Sequence, residues 1–157
     1  LVSIIVPYYK KKFYIEDAIN SAINQTFRDI EIIIIFDDPE GDDLSFIKKI
    51  SQKDERIKLI VNNRNKGAGN SRNIGILKSS GTYIAFLDAD DFWSNDKIEK
   101  QVEYFSKNPK WFSEIKITPE ITIKIISKII FLFFTIHSPD SFYKIFEVDI
   151  HWNQALF

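Results

Sequence analysis

The stretch "IEIIIIFDD", residues 30–38, decides the architecture. An apolar run with no polar alternation is what a strand buried on both faces requires, and such strands belong to parallel sheets covered by helices. The run stops abruptly at two carboxylates, Asp37 and Asp38. Upstream, "VSIIV" (2–6) is a short β-branched strand closed by Pro7. Between the two, "IEDAINSAINQ" (15–25) sets Ile15, Ala18, Ile19, Ala22 and Ile23 at helical spacing. Downstream the alternation continues. "LSFIKKIS" (44–51) has helical spacing, "IKLIV" (57–61) is a third strand, and "AGNSRNIGILKSS" (68–80) is a helix opened by a glycine-rich turn. "TYIAFL" (82–87) is a fourth strand, and "SNDKIEKQVEYFSK" (94–107) a helix with Ser94 as its N-cap. Strands alternating with helices predict βαβ units, right-handed crossovers and an α/β fold with a mostly parallel sheet.

The chain's 157 residues make one domain of ordinary globular composition, 45% hydrophobic and 27% charged. With 21 basic against 22 acidic residues there is no basic excess of the kind a nucleic-acid surface shows. There is no cysteine, which excludes disulfides, zinc thiolates and a thiol nucleophile. His137 and His151, the two histidines, stand in no metal-type spacing and read as structural or surface residues. "LVSIIVPYY" carries no basic leader, so no signal peptide is expected. "ITIKIISKIIFLFFTI" (121–136) is shorter than the roughly 20 apolar residues of a spanning helix. It reads as a core segment, with an interfacial helix as the alternative. Beyond about residue 110 the periodicity supports no assignment, except that "FYKIFEVDIHWNQALF" suits a terminal helix.

In open parallel sheets ligands sit beyond the carboxyl ends of the strands. Pro7-Tyr8-Tyr9, Asp37-Asp38 and "DADD" (88–91) all follow strand ends. Asp88 and Asp90, two apart on an extended strand, share a face. Such a pair suits Mg²⁺ or a similar hard cation, commonly held by one or two carboxylates plus substrate phosphates. The alternative is an acidic turn, with Asp91 at the positive end of the next helix. Asp37 and Asp38 are placed to accept a nucleobase N–H or to cap a turn. Gly67 and Gly69 permit close approach of a ligand, Arg72 is placed to reach a phosphate, and Tyr8 and Tyr9 are either stacking platforms or core aromatics.

Taken in order, these segments resemble the family 2 glycosyltransferases of the GT-A fold. "VSIIVPYYK" is similar to the family's first strand with Pro-x-Tyr, and "SAINQTFRDIEIIIIFDD" to its Ser-x-x-x-Gln-Thr helix end and aspartate-bearing strand. "NKGAGNSRNIGI" resembles its Gly/Arg-Asn segment, and "GTYIAFLDADDFW" its Asp-x-Asp strand. The resemblance covers residues 1–109, a nucleotide-sugar-binding half. It leaves 110–157 as a short, atypical acceptor-side region.

What the resemblance implies is a metal-dependent, inverting transfer from a nucleotide-diphosphate sugar, usually UDP-linked, with Mn²⁺ or Mg²⁺. The acceptor would be a glycan or lipid-linked hydroxyl in surface polysaccharide synthesis. Pro7 and Tyr9 would border the base and Asp38 would bond the uracil. Arg72 would lie near the diphosphate, Asp88 near the ribose or sugar, and Asp90 on the metal. Asp149, in "FEVDIHW", would be the base, with Val148 where the family has Glu. The implied location is cytoplasmic, at the inner face of the membrane, with peripheral contact through 121–136. Two departures stand out: Pro39-Glu40-Gly41 replaces the usual Gly-Ser, and Lys10 replaces the usual Asn. The rival readings are a nucleotide-sugar-binding module without turnover and a nucleotidyltransferase. The latter is disfavoured because "PYYKKKFY" lacks a glycine-rich loop.

Overall fold

The computed structural model describes residues 1–107 and 129–130. Strands β1 (Val2–Tyr8), β2 (Ile30–Phe36), β3 (Ile57–Val61) and β4 (Tyr83–Phe86) alternate with helices α1 (Ile15–Ile23), α2 (Leu44–Ser51), α3 (Gly67–Lys78) and α4 (Lys97–Lys107). A two-residue strand β5 (Ile129–Ile130) follows. The sheet order is β3-β2-β1-β4-β5 and every pairing is parallel. The strand order reverses between β1 and β4, the switch point at which open α/β sheets bind ligands.

Side-chain parity explains why β2 has no polar face. Even-numbered Ile4, Val6, Tyr8, Ile32, Ile34 and Phe36 pack with α1 and α2 residues in one cluster. Odd-numbered Ile5, Ile33 and Ile35 join Ile84 and Phe86 beneath Ile74 and Ile76 in another. Each fully buried aliphatic side chain contributes about 1.5–3 kcal/mol, so β2, buried along its whole length, is the fold's main hydrophobic element.

Two boundaries differ from the sequence expectation for identifiable reasons. Pro7 does not close β1. The even-numbered backbone groups of β1 face β2, as the Asp37 N–H to Tyr8 carbonyl bond of 2.9 Å shows. Pro7 therefore turns its missing N–H toward β4, whose pairing with β1 has ended at Ile5. The last helix begins at Lys97 rather than at Ser94. The Ser94 carbonyl accepts the Lys97 N–H at 3.1 Å in a tight turn, and the Asp96 carbonyl takes the first helical bond, from Lys100, at 3.0 Å. Asp91 consequently stands well before the first residue of the helix.

The N-terminal edge of the sheet carries a buried carboxylate, Glu31. It accepts from the Ser3 hydroxyl (2.5 Å), the Lys58 ammonium (2.6 Å) and the Ser80 N–H (2.5 Å). Burial alone would push this carboxyl up. Those donors outweigh it and hold the group below the ordinary carboxylate range. Asp149 and most of the 110–157 region, including all of 121–136 but Ile129–Ile130, lie outside the described residues. Among the described residues no helix is long and apolar enough to cross a membrane.

Candidate functional site

At the carboxyl edge the ends of β1, β2 and β4 meet the start of α3 around a cavity of about 420 Å³. Pro7, Tyr9 and Lys11 line it from the β1 side, Arg72 from α3, and Asp88 and Asp90 from the β4 side. The size is that of a small-molecule pocket.

Parity places the aspartates. Asp37 continues the odd face of β2 and points toward α3. Its carboxylate accepts from the Asn62 amide (2.7 Å), the Lys66 N–H (2.9 Å) and the Gly67 N–H (2.8 Å). It therefore caps α3 from another strand, satisfying N–H groups that the helix itself leaves free. Gly67 opens the helix at φ +79°, which a glycine adopts without strain. Asp38 continues the even face and is buried at 4% exposure. Its carboxylate folds over the Gly41 backbone so closely that a Cβ there would lie 2.1 Å from its oxygen. The Pro39-Glu40-Gly41 turn thus supplies the glycine that Asp38 needs. Asp38 is not among the residues lining the cavity, whereas Asp37 is.

The two neighbouring tyrosines part company. Tyr8 is fully buried, stacked on Phe36 with centroids 5.4 Å apart. Its hydroxyl donates to Asp43 at 2.6 Å, and burial followed by that carboxylate pushes the phenol well up. The same contact, with Lys12 at 2.9 Å, holds Asp43 below the ordinary range. Tyr9 is 45% exposed at the cavity mouth, with the Lys10 ammonium 5.0 Å from its ring centroid.

Asp88 and Asp90 both line the cavity, but from a turn rather than from an extended strand. The strand ends at Phe86, and the Asp91 N–H bonds the Asp88 carbonyl at 3.0 Å, closing a turn. Asp88, on the α3 side, accepts from Arg72 at 2.6 Å. Asp90 accepts from Lys11 at 2.7 Å. Lys11 can reach because Lys10 adopts φ +52°, the left-handed region in which Asn is several-fold enriched. That is the physical reason an Asn suits position 10.

The Ser21-x-x-x-Gln25-Thr26 segment ties down the chain just beyond Asp90. The Gln25 amide donates to the Ser94 carbonyl (2.8 Å), and its oxygen accepts the Ile98 N–H (2.9 Å). Ser21 accepts the Trp93 N–H (3.1 Å), and Thr26 donates its N–H to the Asn95 carbonyl (2.7 Å). Lys11, Asp37 and this tie are the site residues whose roles the sequence did not disclose.

The family model described as Glycosyl transferase family 2 matches residues 3–144. The chain belongs to the family 2 glycosyltransferases. An Escherichia coli relative named UDP-Glc:alpha-D-GlcNAc-diphosphoundecaprenol beta-1,3-glucosyltransferase WfaP is 43% identical over 113 residues, 72% of this chain and 44% of that protein. S. aureus TarS 1–349, solved with UDP, superposes with a TM-score of 0.62 at 24% identity, over 69% of this chain and 32% of that one. A Pyrobaculum calidifontis mannosyltransferase, solved with GDP-Man and Mn²⁺, superposes with a TM-score of 0.62 at 21% identity, over 67% and 32%. These structural likenesses establish the GT-A fold. The chain spans less than half of the length of the curated relatives it matches, from 16% to 45%.

GT-A glycosyltransferases often use a divalent cation, and the donor set here fits one kind of site. Among the described residues no three carboxylates or imidazoles form a closed cage. Asp90 is partly exposed and faces the cavity. A single carboxylate completed by substrate phosphates is the arrangement in which Mg²⁺-type ions are held. Asp88, also at the cavity, is paired with the helix-borne Arg72, and Asp90 with the loop-borne Lys11.

Proposed function

We propose that this chain carries the donor-binding half of an inverting glycosyltransferase that moves a sugar from a UDP-sugar to an acceptor hydroxyl in cell-surface glycan synthesis. The observation that carries the reading is the meeting of two cations, Lys11 and Arg72, with two carboxylates, Asp88 and Asp90, in one cavity at the switch point of the sheet. Pro7 and Tyr9 border the base. Asp38 supplies the acceptor for the uracil N–H. Arg72 faces the diphosphate, and Asp88 the ribose or sugar. Asp90 holds Mn²⁺ or Mg²⁺, which when bound offsets the negative charge that grows on the departing diphosphate. Arg72, fixed on α3, offsets the same charge with a charge-assisted hydrogen bond. Asp149 deprotonates the acceptor hydroxyl, whose in-line attack inverts the anomeric carbon. The WfaP name supports a lipid-linked acceptor, and with it a site of action at the cytoplasmic membrane face through a peripheral contact.

The test is calorimetric titration of UDP and GDP with and without Mn²⁺, on wild type and Asp90→Ala. Tighter UDP binding with Mn²⁺, lost in Asp90→Ala, is expected. Metal-independent binding untouched by the substitution would overturn the role of Asp90. UDP-glucose turnover, measured alongside, separates an enzyme from a binding module.

A further inference from the structure

We propose that Lys11 is an exchangeable counter-ion. In the donor-free protein its ammonium holds the place of the divalent cation at Asp90, and it turns to the donor's diphosphate once a metal takes that carboxylate. The inference rests on the donor-site reading above and goes beyond it, because it assigns Lys11 a part that a metal ligand set does not include.

The two ion pairs of the cavity are built differently. Arg72 rises from α3, lies 6.0 Å from the Phe86 ring centroid and meets Asp88 at 2.6 Å. It is an anchored guanidinium on a regular helix. Lys11 belongs to the loop after β1, and its pair with Asp90 is 44% and 41% exposed at the two side chains. An ammonium on a flexible four-carbon stem is a point charge without the fixed fork of arginine. It leaves one carboxylate for another anion at little cost. Its nitrogen sits 2.7 Å from the Asp90 oxygen. A metal bound to that oxygen at about 2.0–2.1 Å would face it across a distance at which two cations repel. Lys11 and a metal therefore compete for Asp90. Lys11 also lines the cavity alongside Arg72, so the displaced ammonium has the diphosphate within the same cavity to turn to. The exchange keeps the cavity near neutrality, since metal and diphosphate arrive with largely cancelling charges.

The experiment is an electron-paramagnetic-resonance titration of Mn²⁺ without nucleotide on wild type, Lys11→Met and Lys12→Met. Lys12→Met removes the same charge one residue away, where the ammonium pairs with Asp43 instead. An exposed ion pair is worth a factor of up to about five in an equilibrium constant, so Lys11→Met should bind Mn²⁺ up to about fivefold tighter, and Lys12→Met as wild type does. With Mn²⁺ saturating, UDP should bind Lys11→Met more weakly than wild type. Equal Mn²⁺ affinity in wild type and Lys11→Met overturns the proposal while leaving the donor site standing. Equal tightening by Lys12→Met also overturns it, because the effect is then the diffuse field. No Mn²⁺ binding by any of the three proteins without nucleotide overturns the exchange, and no binding with UDP added removes the metal site as well.

Discussion

Replacing Gln25 by Met tests whether the helix after Asp90 is held from a distance. The side chain is fully buried and makes three hydrogen bonds, to the Ser21 carbonyl at 3.0 Å, the Ser94 carbonyl at 2.8 Å and from the Ile98 N–H at 2.9 Å. Methionine fills similar volume without a hydrogen-bonding amide, so cavity effects stay small. The Ile98 N–H, at the first turn of α4, then has no acceptor in a buried place, which costs about 1–3 kcal/mol. The Ser94 carbonyl keeps its bond from Lys97, so losing the amide there costs about 1 kcal/mol. The sum is about 2–4 kcal/mol, or a fall in Tm of roughly 5–15 °C for a chain of this size. Thermal melts by circular dichroism read the total. Hydrogen exchange at Ile98 and Trp93 reads whether the loss is local. A Gln25→Met protein within about 0.5 kcal/mol of wild type, the ordinary range of surface substitutions, would refute the account of α4 as capped by Gln25.

Four further outcomes are expected. Lys10→Asn relieves a left-handed lysine and should raise stability by about 0.5–1 kcal/mol in urea melts, because Asn visits that region more readily. Gly75→Ala should destabilise by about 1–3 kcal/mol, since its Cβ would lie 2.4 Å from Ile5 Cγ2; UDP affinity should fall with it, as α3 carries Arg72. Glu31→Gln should cost about 1–3 kcal/mol at neutral pH. Because folding depresses the Glu31 carboxyl, its contribution is complete above the ordinary value of 4.5 and disappears as pH falls through the folded value; wild-type and Glu31→Gln melts should converge on acidification and stay apart above pH 5, and a constant gap would contradict the assignment. Asp37→Asn turns an amide toward at least one N–H donor and should loosen the start of α3, seen as faster exchange at Lys66 and Gly67 and weaker UDP binding.

The sheet was legible in the sequence because its signal is local. β2, α2 and β3 begin and end where the apolar run, the helical spacing and the β-branched run do. The convergence of Tyr9, Arg72, Asp88 and Asp90 was expected from the carboxyl ends of parallel strands sharing one edge; Asp38, expected there too, does not line the cavity. Contacts across the chain were not legible. Nothing near Gln25 announces that it caps a helix 73 residues away, and nothing in "FDD" says which aspartate faces α3, since that depends on the parity of β2 in the folded sheet. Asp88 and Asp90 were read from extended geometry, whereas the strand ends at Phe86 and the two stand in a turn beyond it. The left-handed Lys10 was invisible as well, since lysine has no preference for that conformation.

The strand order also has a consequence for how the chain folds. β1, β2 and β3 with their crossover helices come from the first 61 residues and can pair as soon as they are made. The partner for the other side of β1 comes last, with Tyr83–Phe86. Until β4 docks, the odd-numbered amides and carbonyls of "VSIIV" form an open, isoleucine-rich edge, the kind that recruits other chains. Co-translational folding should therefore pass through a vulnerable interval that ends as "YIAF" emerges, and the aspartates that follow it are brought to the cavity by the same event that seals that edge.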